Sequence, residues 1–423
     1  MKKVYRKTPS PSKSKNPGLQ LAFEPEAMVR TLREEVHAFA VSAGIVIAQC
    51  LLADEVGRLC GPRYARDPDA AFYRHGVQPG WAVMAGQKVG LKKPRVRKKD
   101  GGEVALERYA LLQQPDALDE AALRRMIRNV STRNYEAVVD TAAESFGVKK
   151  SSVSRNFVRA SAAELKTLCE RRWDEARFVA IFIDGKNFAD AMIVVALGVT
   201  EKGEKRILGL RQGATENAEV VKALLEDLAE RGVKTEEETL FVLDGAKALT
   251  SAVKRLWGQR ALIQRCRIHK KRNIEGHLAE KHHDELHSRL NAAWSEADYE
   301  KALKSLKTTA AWLERLNPDA ASSLREGMAE TLTVTRLGVG GALLKSLSTT
   351  NPIESALSVA GDATRRVKRW REGDMRLRWC AAGLLKAEAN FNRVKGYRDL
   401  PNLIQAMERV SNRESLDISQ QAA

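Results

Sequence analysis

Apolar and polar positions change their period several times along the 423-residue chain. Residues 25–58 are largely apolar with a helical pattern, and the longest apolar stretch, Ala38–Ala53, contains Ser42 and Gln49. It is too short to span a bilayer comfortably and predicts a buried helix. Residues 76–112 break into the short runs Trp81–Met84, Gln87–Leu91 and Glu103–Leu106, with glycine and Lys99-Asp-Gly-Gly between them. These predict a small β element. Residues 119–160 return to helical spacing. There Tyr135–Phe146, then Gly147-Val-Lys-Lys, then Ser151-Ser-Val-Ser-Arg-Asn-Phe-Val-Arg read as a helix, a glycine turn, a serine N-cap and a short basic helix. That is a helix-turn-helix pattern, whose second helix can enter a major groove.

From residue 178 the pattern becomes α/β. Phe178–Asp184 is a near-continuous apolar run, as a strand buried on both faces requires. Ala191–Val199 and Lys205–Leu210 follow across short turns and predict an antiparallel meander. Glu216–Arg231 has apolar residues at 220, 224, 225 and 228, a helical spacing closed by Gly232. Leu240–Asp244, Ala248–Trp257 and Ala261–Cys266 predict strand, helix and strand. Three strands, then helix, strand, helix and strand, is the ribonuclease H-like order, in which the first and fourth strands are neighbours. Residues 280–345 are helical and charge-rich, including Ala292–Leu306 and Ala310–Leu316, and read as an α-helical insertion. Thr349-Thr-Asn-Pro-Ile-Glu then opens a helix with Asn351 as N-cap and Pro352 at its first position.

Charge narrows the class of partner. Lysine plus arginine number 71 against 54 aspartate plus glutamate, so the formal charge is 71 − 54 = +17, which points to a polyanion. The positive residues cluster. Residues 1–20 hold Lys2, Lys3, Arg6, Lys7, Lys13 and Lys15 with no acid, and read as a disordered basic arm. Lys92, Lys93, Arg95, Arg97, Lys98 and Lys99 lie on the β element. Lys149, Lys150, Arg155 and Arg159 lie on the helix-turn-helix. Arg265, Lys270, Lys271 and Arg272 leave the fifth strand of the α/β region. Arg365, Arg366, Lys368, Arg369 and Arg371 surround Trp370, a residue that can stack on an unpaired base. Five scattered cysteines suit a reducing cytosol better than a disulfide framework. The N-terminus carries no secretory signal pattern.

Three acids stand where this order brings chain segments together. Asp184 ends the first strand in Phe-Ile-Asp-Gly, Asp244 ends the fourth in Val-Leu-Asp-Gly, and Glu354 rides the capped helix. Either Asp-Gly alone is an ordinary turn. Together with the glutamate they form a set of hard oxygen ligands for two magnesium (or manganese) ions, the arrangement that serves phosphoryl transfer on nucleic acid. Cys266-x-x-His269 is half of a zinc site, with no second pair at zinc-finger spacing. Packing of Cys266, with His269 near a phosphate or carboxylate, is the preferred reading. Gly338-Val-Gly-Gly is too weak for a phosphate loop, so no nucleotide cofactor is expected.

The linked motifs resemble the mutator-type bacterial insertion-sequence transposases. They are Ile183-Asp-Gly-Lys, Ala196-Leu-Gly-Val, Ile207-Leu-Gly-Leu, Gly213-Ala-Thr-Glu-Asn-Ala, Gln264-Arg-Cys-Arg-Ile-His-Lys-Lys-Arg-Asn, Thr349-Thr-Asn-Pro-Ile-Glu and Arg365-Arg-Val-Lys-Arg-Trp, and the likeness covers about residues 75–405. The resemblance implies a DDE transposase that binds terminal inverted repeats, cleaves at the element ends and joins 3′ hydroxyls to target DNA. It assigns the acidic triad to Asp184, Asp244 and Glu354, and the family's Cys-x-x-His motif to Cys266 and His269. It implies a homodimer or higher oligomer on DNA, a nucleoid-associated cytoplasmic protein and no membrane partner. The chain departs from the family after Glu354, where Ser355–Asp362 replaces a more polar and basic turn.

On this reading the chain divides into the basic arm (1–20), an N-terminal helical and small β region (21–118) and a helix-turn-helix-like DNA-binding region (119–175). A ribonuclease H-like catalytic core follows in two parts (176–280 and 346–400), with the α-helical insertion (281–345) between them and a tail (401–423) behind. Two alternatives compete with the transposase: a ribonuclease H-like nuclease or resolvase that cuts without joining, and a domesticated DNA-binding regulator.

Overall fold

A computed structural model describes residues 36–64, 70–84, 86–114, 116–130, 145–146, 149–213, 218–365 and 367–421. The basic arm and most of the predicted Tyr135–Phe146 helix lie outside the described residues. The described residues fall into two compact units, one drawn from 1–117 and 136–147, the other from 118–135 and 148–423.

The first unit is built on helix α1 (Val36–Cys60) and a long antiparallel hairpin of β1 (Phe72–Met84) and β2 (Gln87–Lys98). Gly86, at φ +74°, supplies the left-handed turn residue between them. The short runs of the sequence are thus two continuous strands. Only Glu103 of the third run pairs, through an isolated bridge to Arg97, and helix α2 (Glu107–Leu112) follows. Ala48, Leu52 and Val56, at helical spacing on α1, pack on Ala82, Leu91, Val96 and Leu106. The expected buried helix is therefore buried on one face only: Ile47 is 61% and Leu51 43% exposed.

Helix α3 (Asp116–Ile127) opens the second unit. Ser145–Phe146, which belongs to the first unit, forms β3 and pairs with β2, so the predicted helix does not extend to Phe146. The expected short basic helix is a 21-residue helix, α4 (Lys150–Glu170), with Lys149 rather than Ser151 at its N-cap. Its buried face carries Val153, Phe157, Ser161 and Leu168.

The centre of this unit is a five-stranded mixed sheet: β4 (Phe178–Phe188), β5 (Ala191–Thr200), β6 (Lys205–Gly213), β7 (Thr239–Leu243) and β8 (Ala261–Arg265), in spatial order β6-β5-β4-β7-β8. The first three form the antiparallel meander, and β4, β7 and β8 run parallel. Helices α5 (Ala218–Glu230) and α6 (Lys247–Trp257) supply the crossovers. Alternation along the strands sorts side chains between two cores. Ile181 and Ile183 of β4 with Phe241 and Leu243 of β7 pack against α5 and α6. Ala180 and Phe182 with Leu240 and Val242 face the other way. That second core contains α13 (Asn351–Thr364), α14 (Met375–Glu388) and α15 (Leu400–Gln421).

Between β8 and α13 the chain runs through α7 (Arg267–Glu275), α8 (His283–Ser295), α9 (Tyr299–Glu314), α10 (Pro318–Arg325), α11 (Thr333–Arg336) and α12 (Gly341–Leu347). These helices have their own core, including Leu286, Leu290, Trp294, Leu306, Leu313 and Leu324. The single helix expected over Ala292–Leu306 is two. Asp298 ends the break, its carboxylate accepting from the Lys301 amide at 2.8 Å as the N-cap of α9. Phe157 of α4 meets Trp379 of α14 at a ring-centroid distance of 4.3 Å. Among the described residues no helix is long and apolar enough to cross a membrane.

Candidate active site

Register brings the aspartates together. β4 and β7 pair in parallel as far as Phe182 and Val242, and Asp184 and Asp244 each follow two residues later. They therefore stand level just past the last parallel pair, with the parity of Phe182 and Val242; Asp244 follows the end of β7, but Asp184 does not end β4, which continues to Phe188 against β5. That parity turns them to the face covered by α13, whose first turn carries Glu354. β8 ends level with β7, and the Cys266 amide donates to the Leu243 carbonyl at 2.7 Å. Cys266 thus closes the row, and α7 begins directly behind it with His269 in its first turn.

A single threonine ties the far segment to this row. The Thr350 amide donates to Cys266 Sγ at 3.3 Å, and the Arg267 amide donates to the Ser348 carbonyl at 3.0 Å. Thr350 Oγ1 lies 2.7 Å from Glu354 Oε1, 3.3 Å from Cys266 Sγ and 3.3 Å from His269 Nδ1. A hydroxyl has one proton and two lone pairs. The short contact to Glu354 takes the proton, which leaves a lone pair for the ring N–H of His269. His269 Nε2 is 3.7 Å from Glu354 Oε1. The N-cap of α13 is Thr350, not Asn351, and its side chain makes no capping hydrogen bond; its hydroxyl proton goes to Glu354 one turn on.

Electrostatics reflects the crowding. The hydrogen bond with Cys266 raises His269 to about 9 against the opposing effect of burial, with the charges of Cys266, Asp184 and Glu354 adding to the rise. His269 is therefore a cation at neutral pH. Burial pushes the Cys266 thiol up, but hydrogen bonds with His269 and Thr350 outweigh it and hold the group below its usual value. Burial lifts Asp184 to about 6; His269 and the Gly185 amide oppose this, while Glu354 and Asp244 add to it.

Each acid keeps one oxygen uncommitted. Asp184 Oδ1 accepts from the Gly185 amide at 2.9 Å, Asp244 Oδ1 from the Ala246 amide at 2.8 Å, and Glu354 Oε1 from Thr350. The second oxygen of each has no hydrogen bond among the described residues. Among the same residues no three His, Cys, Asp or Glu side chains are already gathered as a metal-holding cluster. The acids share a field without forming a finished cage. Three uncommitted carboxylate oxygens, one of them on an acid that burial penalises when ionised, suit a hard divalent cation.

The shift on Asp184 has a stability consequence. Its folded value lies above the ordinary 3.8, so ionising it costs the folded state, and stability falls as pH rises from 3.8 through about 6. Asp184→Asn removes that cost. In metal-free buffer the variant should unfold at a higher temperature than wild type at pH 7, by up to about 3 kcal/mol of stability, and the gap should close below pH 4. Thermal melts across pH check this, and a pH-independent difference would contradict it.

The basic residues picked from the sequence have different fates. Lys149, Lys150 and Arg155 are exposed, and Arg159 is held by Asp119 at 2.7 Å. Arg272 is exposed and Lys271 half-buried, whereas Arg265 and Lys270 turn inward. Arg265 Nη2 pairs with Glu326 at 3.1 Å, and Lys270 Nζ donates to the Ser323 and Glu326 carbonyls at 2.5 and 2.6 Å. Their charges are spent inside the protein, which periodicity over so short a run does not reveal. Arg365, Lys368, Arg369 and Arg371 are exposed and Trp370 is half-buried; Arg366 lies outside the described residues. The sequence reading missed Thr350, although its position four residues before Glu354 was a usable signal for a helical i, i+4 contact.

The chain belongs to the Mutator family of transposases. The family profile matches residues 26–372, a span that includes all three acids and the Cys266–His269 motif. The transposase for insertion sequence element ISRM5 of Rhizobium meliloti (strain 1021) is 27% identical over 304 residues, covering 69% of this chain and 73% of that protein. The transposase for insertion sequence element IS406 of Burkholderia multivorans is 26% identical over 291 residues, covering 64% and 70%. The transposase for IS256 in transposon Tn4001 of Staphylococcus aureus is 26% identical over 196 residues, covering 44% and 47%.

Proposed function

We propose that the protein is a DDE transposase with a ribonuclease H-like catalytic core. It binds the terminal inverted repeats of an insertion sequence, cleaves at the element ends and joins the 3′ hydroxyls to target DNA, acting as a homodimer or higher oligomer on DNA. The observation that carries the reading is the arrangement of Asp184 and Asp244 level on adjacent parallel strands, facing the helix that bears Glu354. The strand order supports the fold assignment, and family membership supports the class of activity.

The three uncommitted carboxylate oxygens are the proposed holders of two magnesium or manganese ions. Bound there, the ions supply a water or 3′-hydroxyl nucleophile at neutral pH and charge stabilisation of the leaving oxygen. The protein's own groups do the positioning. Thr350 fixes the rotamer of Glu354 through Oε1, which leaves Oε2 free to turn toward the aspartates. Cationic His269 balances part of the negative field of Asp184 and Glu354. The exposed Arg365, Lys368, Arg369 and Arg371 directly follow the helix of Glu354, where they can track a DNA backbone leading to it.

The test is to incubate the full chain with DNA carrying the element's own ends, a target plasmid and magnesium. Joined products are expected, and affinity for the ends should fall steeply as salt rises. Cleavage without joining would favour the nuclease reading, and salt-dependent binding without either would favour the regulator.

A further inference from the structure

Two buried cations at the end of β8 and on α7 grip one short stretch of the helices that separate β8 from α13. Arg265 is 5% exposed and Lys270 0%. Lys270 Nζ donates to the Ser323 and Glu326 carbonyls, at the end of α10. Arg265 Nη1 donates to the same Glu326 carbonyl at 3.1 Å, and Nη2 to the Glu326 carboxylate at 3.1 Å. Lys247 also lies 3.9 Å from that carboxylate, but its side chain is 91% exposed and water screens the pair. Apolar side chains dock two segments without the desolvation that a buried cation suffers. What Arg265 does beyond docking follows from where its guanidinium lies.

Arg265 stands opposite Leu243 in the β7–β8 pairing, with the parity of Ile263. It therefore leaves the sheet on the side of α5 and α6, away from the face to which Asp244 turns. There the guanidinium lies against Gly245, the residue directly after Asp244. A Cβ built on Gly245 would overlap Arg265 Nε and come within 2.5 Å of Cζ. Gly327, directly after Glu326, approaches the same group: a Cβ there would come within 2.6 Å of Nη1. Both glycines have left-handed φ, +105° and +62°, so conformation and close approach call for glycine together. Nε is buried and has no hydrogen-bond partner among the described residues. The place of the guanidinium is thus set by its two Nη bonds to Glu326 and by its contact with the two glycines.

The Asp244 turn is braced locally by one bond, from the Ala246 amide to Asp244 Oδ1 at 2.8 Å. That bond fixes the carboxylate within the turn, not the turn within the protein. We propose that Arg265 is a positioning residue for Asp244, and that Glu326 sets it: with the Glu326–Gly327 segment seated, the guanidinium backs the turn and fixes how Asp244 stands beside Asp184. The inference rests on the metal-binding reading of the acids. It adds that the helices between β8 and α13, which carry none of the three acids, control the geometry of one of them.

The experiment uses the full chain and two substitutions at Glu326, an exposed position where the fold should tolerate change. Glu326→Ala removes the acceptor of Arg265 Nη2, and Glu326→Gln keeps an oxygen there. Hydrogen exchange without metal or DNA should show the Ala246 amide about tenfold faster in Glu326→Ala and within about twofold of wild type in Glu326→Gln. Amides of β4 around Asp184 are the control and should not change. Manganese affinity, read from the electron paramagnetic resonance of the free ion, should fall about tenfold in Glu326→Ala and at most about twofold in Glu326→Gln. Arg265→Lys keeps the charge but not the flat fork, and should behave as Glu326→Ala does. Unchanged Ala246 exchange in Glu326→Ala and Arg265→Lys would overturn the proposal. So would faster exchange with wild-type manganese affinity, which would leave Arg265 a packing residue. Exchange is read without metal and no cleavage is measured, so loss of the strand-transfer reading and loss of this one are separable.

Discussion

Asp184→Asn should reduce magnesium-dependent DNA cleavage by at least about 10³-fold while leaving DNA affinity within about twofold. Asparagine keeps the size of the side chain and the carbonyl that accepts from the Gly185 amide at 2.9 Å. It removes one negative charge and one ionic oxygen from the row of acids. A metal's charge stabilisation is worth several kcal/mol in the transition state, and about 4 kcal/mol corresponds to a factor of 10³. Binding should survive because the exposed basic residues are untouched. Asp244→Asn and Glu354→Gln should each produce a loss of the same order, and combining two of them should add little, since the acids act as one unit. Single-turnover cleavage and filter binding on the same DNA check this. Wild-type cleavage by Asp184→Asn would remove the acid from the chemistry altogether.

The second large effect belongs to a residue that touches no substrate in this scheme. Thr350→Val keeps the shape of the side chain and deletes the hydroxyl that holds Glu354 Oε1 at 2.7 Å and faces His269 Nδ1 at 3.3 Å. Glu354 then loses its orienting donor, and His269 loses one of its ring contacts while keeping that with Cys266. Groups that orient metal ligands typically matter by 10–100-fold, and a loss of about that size is expected. Thr350→Ser should recover most of the activity, because the hydroxyl returns. Raising the magnesium concentration should rescue Thr350→Val more than Glu354→Gln, since the first variant keeps its ligand and only misaims it. A Thr350→Val enzyme with unchanged magnesium dependence would reduce the threonine to a packing role. The same network accounts for Cys266. With 0% exposure, its sulfur accepts the Thr350 amide and anchors the start of the helix that carries Glu354.

Much of the sheet was legible from local pattern. A strand buried on both faces must be apolar at every position, so Phe178–Ile183 and Leu240–Leu243 announced themselves, and the aspartates ended each run. Boundaries shifted by one to four residues where hydrogen bonds rather than apolar pattern end an element, most at β4 and β6, which continue to Phe188 and Gly213 through antiparallel pairing. The helices of the insertion were legible as helices, but not the break at Glu296–Asp298, where a cap interrupts an otherwise continuous helical composition. Trp81–Met84 and Gln87–Leu91 looked like fragments because an exposed hairpin alternates weakly and carries lysine and arginine along its length.

Surface position was the least legible property. Arg265, Lys270, Lys271 and Arg272 stand close together in sequence, yet Arg265 and Lys270 are buried and Arg272 is exposed. A helix of nine residues points its side chains in every direction, and only the packing of α10 decides which of them meet water.

By itself the sequence determined the order of strands and helices, the three acids and the polyanion-seeking charge, because these depend on residue type and on spacing along one element. Tertiary structure alone decided that both aspartates share the face of α13, since strand parity means nothing until the helices are assigned to sides of the sheet. It alone made Thr350 the link between Cys266, His269 and Glu354, for that contact joins segments 84 residues apart along the chain.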